Sequence, residues 1–87
     1  MNIYNKVLDI INSNIEDVTI TREQADDDLT LIGMDSITFI KIIVDLEENF
    51  EIEIPDEKLI FAEMGTLNKM VDVVLTVLGG INERENA

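Results

Sequence analysis

Apolar side chains recur at helical spacing near the start of the chain. Ile3, Val7, Ile10, Ile11 and Ile15 fall on one face, which predicts a first helix over roughly residues 3–15. A polar stretch follows from Glu16 to Thr30, in which Thr21 and Gln24 have the spacing of a capping pair for a short turn. The rest of that stretch reads as a long loop anchored by Val18, Ile20, Leu29 and Leu31. A loop of this length in a small domain is usually functional or pinned by buried side chains.

The helical period returns from Ser36 to about Asn49. Thr38, Lys41, Asp45, Glu48 and Asn49 share one face, and Phe39, Ile42, Ile43, Leu46 and Phe50 project opposite it as a core stripe. Ile37, Ile40 and Val44 form a separate strip beside Ser36 and Glu47, so this helix carries more apolar surface than one core face needs. Either the helix is buried on two sides, or the strip is an exposed docking surface rimmed by Asp45, Glu47 and Glu48. An apolar centre with a charged rim is the usual anatomy of a transient interface, and the helical wheel leaves both readings open.

Glu51-Ile52-Glu53-Ile54 alternates like a strand but is too short and solitary to imply a sheet. Pro55, followed by Asp56 and Glu57, favours a short third helix through Phe61. Gly65-Thr66 reads as a break plus N-cap, and Leu67, Met70, Val71, Val74, Leu75 and Leu78 form a last amphipathic helix stopped by Gly79-Gly80. The expected architecture is an all-α four-helix bundle with a long loop after the first helix and a short third helix. Residues 1–80 make the domain and residues 81–87 a flexible tail.

Eighty-seven residues suffice for one such domain but not for a large enclosed substrate cavity. The balance of nineteen acids against six bases gives a net charge of −13. That charge works against compaction by self-repulsion and steers the molecule toward basic surfaces; divalent cations should therefore stabilise it. It argues against nucleic acid, which is bound through clustered Lys and Arg. The chain has no Cys and no His, so no disulfide, soft-metal site, thiol nucleophile or imidazole base can be built from it. No apolar run approaches membrane length, and the first residues lack the order of a signal peptide. A cytoplasmic, monomeric, non-enzymatic protein without a metal or a membrane is expected.

Little chemistry is left, and Ser36 is its best candidate. A serine where a turn opens into a helix is a favoured N-cap. A capping box would want Glu or Gln at residue 39, where Phe39 stands. Asp26-Asp27-Asp28 lacks the alternate spacing, glycine and distal glutamate of a calcium loop. Paired acids such as Glu47-Glu48 read as surface carboxylates, and Met34, Met64 and Met70 as gap-fillers in the core.

The run Gly33-Met34-Asp35-Ser36-Ile37, continued by Leu46-Glu47-Glu48-Asn49-Phe50-Glu51-Ile52-Glu53-Ile54-Pro55-Asp56-Glu57, resembles the acyl and peptidyl carrier protein family. The resemblance covers nearly the whole chain. It implies that Ser36 carries a covalent 4′-phosphopantetheine, taken from coenzyme A by a phosphopantetheinyl transferase using magnesium. The thiol of that arm would hold acyl or aminoacyl groups as thioesters. Asp35 would then belong to the recognition motif, and Ile37, Ile40, Val44, Glu47 and Glu48 to the partner-docking surface. The implied partners are the transferase, an acyl- or aminoacyl-activating ligase or adenylating enzyme, and downstream synthase, condensation or transferase enzymes with basic patches.

Carriers of fatty acid synthesis typically have acids where this chain has Thr38 and Lys41, and read Asp-Ser-Leu rather than Asp-Ser-Ile. The resemblance thus points to a free-standing carrier of a nonribosomal peptide or polyketide pathway, with fatty acid biosynthesis as the alternative. A different reading is an acidic interaction module in which Ser36 is only a cap; Ser36→Ala would then cost about 0.5–2 kcal/mol while partner binding persisted. A cavity for cargo lined by Phe39, Ile42, Ile43, Leu46, Phe61, Ala62 and Val71 and a closed core are both compatible with the pattern.

Overall fold

Asn2 starts the first helix by accepting the Asn5 amide at 3.0 Å, and the chain then folds as its apolar spacing predicts. In the computed structural model, which describes residues 2–16 and 18–86, the helices are α1 (Ile3–Asn14), α2 (Ser36–Phe50), α3 (Phe61–Met64) and α4 (Leu67–Asn86). Short 3₁₀ turns stand at Arg22–Gln24, Leu29–Leu31 and Asp56–Lys58. No strand occurs among the described residues.

Helix α1 lies against α2 and α4, and α3 against α4. The centre is filled by side chains with no exposed surface: Val7 and Ile11 of α1, Ile42 and Leu46 of α2, Met64 of α3, and Leu67, Met70 and Val74 of α4. No described buried side-chain polar atom lacks a partner, so the core carries no uncompensated desolvation. None of the described helices is long and apolar enough to cross a membrane.

The long connection between α1 and α2 is pinned. Asn12 exchanges two hydrogen bonds with the Ile20 backbone, at 2.8 and 3.0 Å. The Asn68 amide donates to the Ala25 carbonyl, and the Leu29 amide to the Gly65 carbonyl. Gln24 accepts the Thr21 amide, as the capping spacing predicts. Ile20, Ala25, Leu29 and Met34 are the buried anchors, whereas Val18 and Leu31 are exposed, contrary to expectation. In a 3₁₀ turn successive residues are about 120° apart, so Leu29 and Leu31 cannot both face the core.

Two further expectations are corrected. The third helix does not run from Pro55 to Phe61. Leu59 (ψ 50°) and the extended Ile60 separate the Asp56–Lys58 turn from α3. The Glu51–Ile54 segment forms no strand, in keeping with its shortness. Ile52 and Ile54 are buried, and Glu51 (φ 54°) closes α2 in the left-handed conformation. Finally, α4 does not stop at Gly79-Gly80 but continues through Asn86. Each glycine costs about 1 kcal/mol relative to Ala in a helix, and no proline follows to end it. Thr66 caps α4 as expected, accepting the Lys69 amide at 3.1 Å.

Candidate functional site

Gly33 sets up the site. It takes φ 126°, a region closed to residues with a Cβ, and a Cβ there would also press on Ile15 at 3.3 Å. The turn it allows buries Met34 and delivers Asp35 in extended conformation to the start of α2.

Asp35, not Ser36, is the N-cap. Its Oδ1 accepts the Thr38 amide at 2.8 Å, and its carbonyl accepts the Phe39 amide at 2.8 Å. Ser36 is the first helical residue. Its side chain is exposed, and its Oγ makes no hydrogen bond among the described residues. The reading of Ser36 as a cap is thereby corrected: Asp is as good a cap as Ser, and Thr38 presents its amide three residues on.

The Thr38 amide is the main reason that the Asp35 carboxyl is held below the ordinary Asp value; the Thr38 side chain adds to the effect. A lowered folded-state value means stability that is present above the unfolded pKa, about 3.9 for Asp, and lost as pH falls through the lower folded value. Asp35→Asn keeps a capping oxygen but cannot titrate. The melting-temperature advantage of the parent over Asp35→Asn should therefore shrink as pH is lowered from 5 toward 2. An advantage independent of pH would remove the charge from the explanation.

Beside Ser36 opens an apolar groove of about 490 Å³. Phe39 and Ile43 form its floor, Ile40 and Val44 one rim, and Leu59, Ile60 and Phe61 the other. The Phe39 and Phe61 rings meet edge to face at 4.9 Å, tying the far rim to α2. Of the side chains named for a cavity in the sequence, Phe39, Ile43 and Phe61 line this groove. Ile42 and Leu46 are sealed in the core, Ala62 is exposed and Val71 half-buried. Leu59 and Ile60 were missed because that stretch reads as a helical turn; two apolar residues directly after Lys58 were the available signal.

Ile37, Ile40 and Val44 are 67, 61 and 43% exposed, which excludes burial of this strip within the chain. Glu48 is exposed beside them. Glu47 is half-buried, and its Oε2 accepts the Ile54 amide at 2.9 Å. Asp45 is engaged by the Asn14 amide group at 2.8 Å. In the acidic triplet, Asp28 accepts the Thr30 amide and hydroxyl, and Asp26 accepts from Asn68. These carboxylates serve the loop's own hydrogen bonding.

The chain matches the family described as "Phosphopantetheine attachment site" over residues 4–74. It is 32% identical over 77 residues to an acyl carrier protein of Rickettsia bellii (strain OSU 85-389), covering 84% of each chain. It is 31% identical to an acyl carrier protein of a second strain (RML369-C) over 84% of this chain and 79% of that one. An acyl carrier protein of Lactobacillus johnsonii is 38% identical over 58 residues, or 63% of this chain and 69% of its own. No solved structure matches.

Proposed function

The chain belongs to the phosphopantetheine-attachment family, that of the acyl carrier proteins, and from that premise we propose that Ser36 is its attachment residue. Membership makes the protein a carrier rather than a catalyst, with 4′-phosphopantetheine as its covalent group. It also implies dealings with a phosphopantetheinyl transferase and with acyl-handling enzymes. The observation that supports Ser36 is its exposed Oγ, unbonded among the described residues, at the first position of α2 on the edge of an apolar groove. That geometry fits the group. The hydroxyl is free to form a phosphoester, the N-terminus of a fifteen-residue helix favours the phosphate charge, and the groove offers apolar surface next to it.

When bound, the arm supplies the thiol that the composition lacks. The chain's own residues hold and present it. Asp35 secures the start of α2 under the attachment point. The groove rims can shelter an apolar cargo, each buried methylene being worth about 0.8 kcal/mol. The strip of Ile37, Ile40 and Val44, with Glu47 and Glu48 at its edge, is the proposed docking face. Contacts of its acids with Arg and Lys give fast encounter and salt sensitivity more than tight affinity. Residues 1–80 are taken as the carrier unit, acting as a monomer in the cytoplasm.

The pathway proposed is a specialised one of the nonribosomal peptide or polyketide kind, supported by Thr38, Lys41 and the Asp35-Ser36-Ile37 triplet. Fatty acid synthesis is the second reading, favoured by the apolar lining of the groove. Incubation with coenzyme A, magnesium and a broad-specificity transferase should add a single phosphopantetheinyl group, read by intact mass. No addition to the folded protein, with the transferase active on a control carrier, would overturn the assignment. The loaded protein can then be offered to aminoacyl-adenylating and malonyl-transferring enzymes to separate the pathways.

A further inference from the structure

Among the basic side chains that the structure describes, all but one are put to internal use. Lys6 lies over the Phe50 ring at 5.8 Å, and Arg22 bonds Asn5 and lies over the Tyr4 ring. Lys58 reaches Glu63 at 3.9 Å, and Lys69 donates to the Ala62 carbonyl at 2.9 Å. Lys41 is exposed and has no hydrogen bond, ion pair or ring contact among the described residues. The acid one turn further along α2, Asp45, is engaged by Asn14, and Asp35, six residues before Lys41, caps the helix.

Lys41 stands in the outward face of α2, one turn after Ile37, with Glu48 two turns further on the same face. It also lines a depression of about 540 Å³ with Val18, Ile32, Ile37, Thr38 and the acids Glu16 and Asp35, neither of which pairs with it, on the side of Ser36 away from the apolar groove. The net charge of −13 sets the long-range field, but it does not decide what Lys41 meets. The Debye length at cellular ionic strength is about 8 Å, so a group in contact with the ammonium responds mainly to its immediate surroundings.

We infer that Lys41 is a partner-discriminating residue. The enzyme face that fits this carrier sets a carboxylate opposite Lys41, apolar contacts against Ile37 and Val44, and cations against Glu48. A face that is basic throughout is disfavoured, because one of its cations meets the ammonium. This assignment rests on the reading of the α2 strip as the docking face.

The test uses the phosphopantetheinylated protein, verified by intact mass, and a bacterial ketoacyl synthase whose carrier-binding patch is made of Lys and Arg. Kd is measured for the parent, Lys41→Gln, Lys41→Glu and Ile40→Asp at low and high salt. Lys41→Glu should bind about 3–10-fold more tightly than the parent, Lys41→Gln should fall between, and the gain should shrink with salt. Changing single patch cations of the synthase to Glu should, at one position, reverse the preference toward the parent. Binding by Lys41→Glu no tighter than by the parent overturns the inference. Ile40→Asp separates the two levels. If it binds like the parent, the docking face itself is wrong; if it binds poorly while the Lys41 variants match the parent, only the role of Lys41 fails.

Discussion

Ser36→Ala is expected to take up no phosphopantetheinyl group while keeping the stability of the parent within about 0.5 kcal/mol. The two halves of that result have separate causes. Modification is lost because the substitution removes the Oγ that would carry the phosphoester. Stability is kept because the Oγ has no hydrogen bond among the described residues, and the helix start is held by Asp35 through the Thr38 amide. Alanine is also a better helix former than serine. Had Ser36 been the cap, the same change would cost about 0.5–2 kcal/mol. Intact mass and thermal melting of the same samples read both halves. A phosphopantetheinyl group on the variant would place attachment elsewhere, and a large drop in melting temperature would restore the capping role.

Leu46→Ala should be the opposite kind of variant, with its chemistry intact and its fold failing. Leu46 is fully buried on the core stripe of α2. Removing its isobutyl group leaves a cavity as well as losing transfer energy, at a cost of about 2–5 kcal/mol. Domains are stable by roughly 0.05–0.15 kcal/mol per residue, so this is a large share of the total. The self-repulsion of a −13 chain leaves less to spare. A fall in melting temperature of roughly 10–30 °C is expected, partly reversed by magnesium, which screens the acids. A change below about 1 kcal/mol would mean that the surrounding core collapses into the space.

Both predictions depend on a division of α2 that the sequence showed only in part. The core stripe of Phe39, Ile42, Ile43 and Leu46 was legible because a buried face must repeat with the helical period. The strip of Ile37, Ile40 and Val44 was legible as apolar, but not as exposed. Periodicity reports which residues share a face, and what covers that face depends on where a distant segment lies. Here the long loop is held toward α1 and α4 by Asn12, Asn68 and the Gly65 carbonyl, and the strip remains open.

The same distinction accounts for the corrections. The capping role passed from Ser36 to Asp35 because adjacent residues of equal capping propensity are separated only by the path of the incoming chain, which Gly33 sets. Leu31 turned outward because the tight turn at Leu29–Leu31 has room for one inward leucine. Helix α4 ran past Gly79-Gly80 because glycine weakens a helix without ending it.

The sequence by itself determined the helices α1, α2 and α4, the core stripe, the absence of thiol and imidazole chemistry, and the candidacy of Ser36. These follow from local spacing and residue type. Only the tertiary structure decided that the Ser36 hydroxyl and the Lys41 ammonium have no bonding partner among the described residues, and that Leu59, Ile60 and Phe61 close an apolar groove beside Ser36. Each of these depends on groups brought together from separate parts of the chain, and no local pattern encodes their distances.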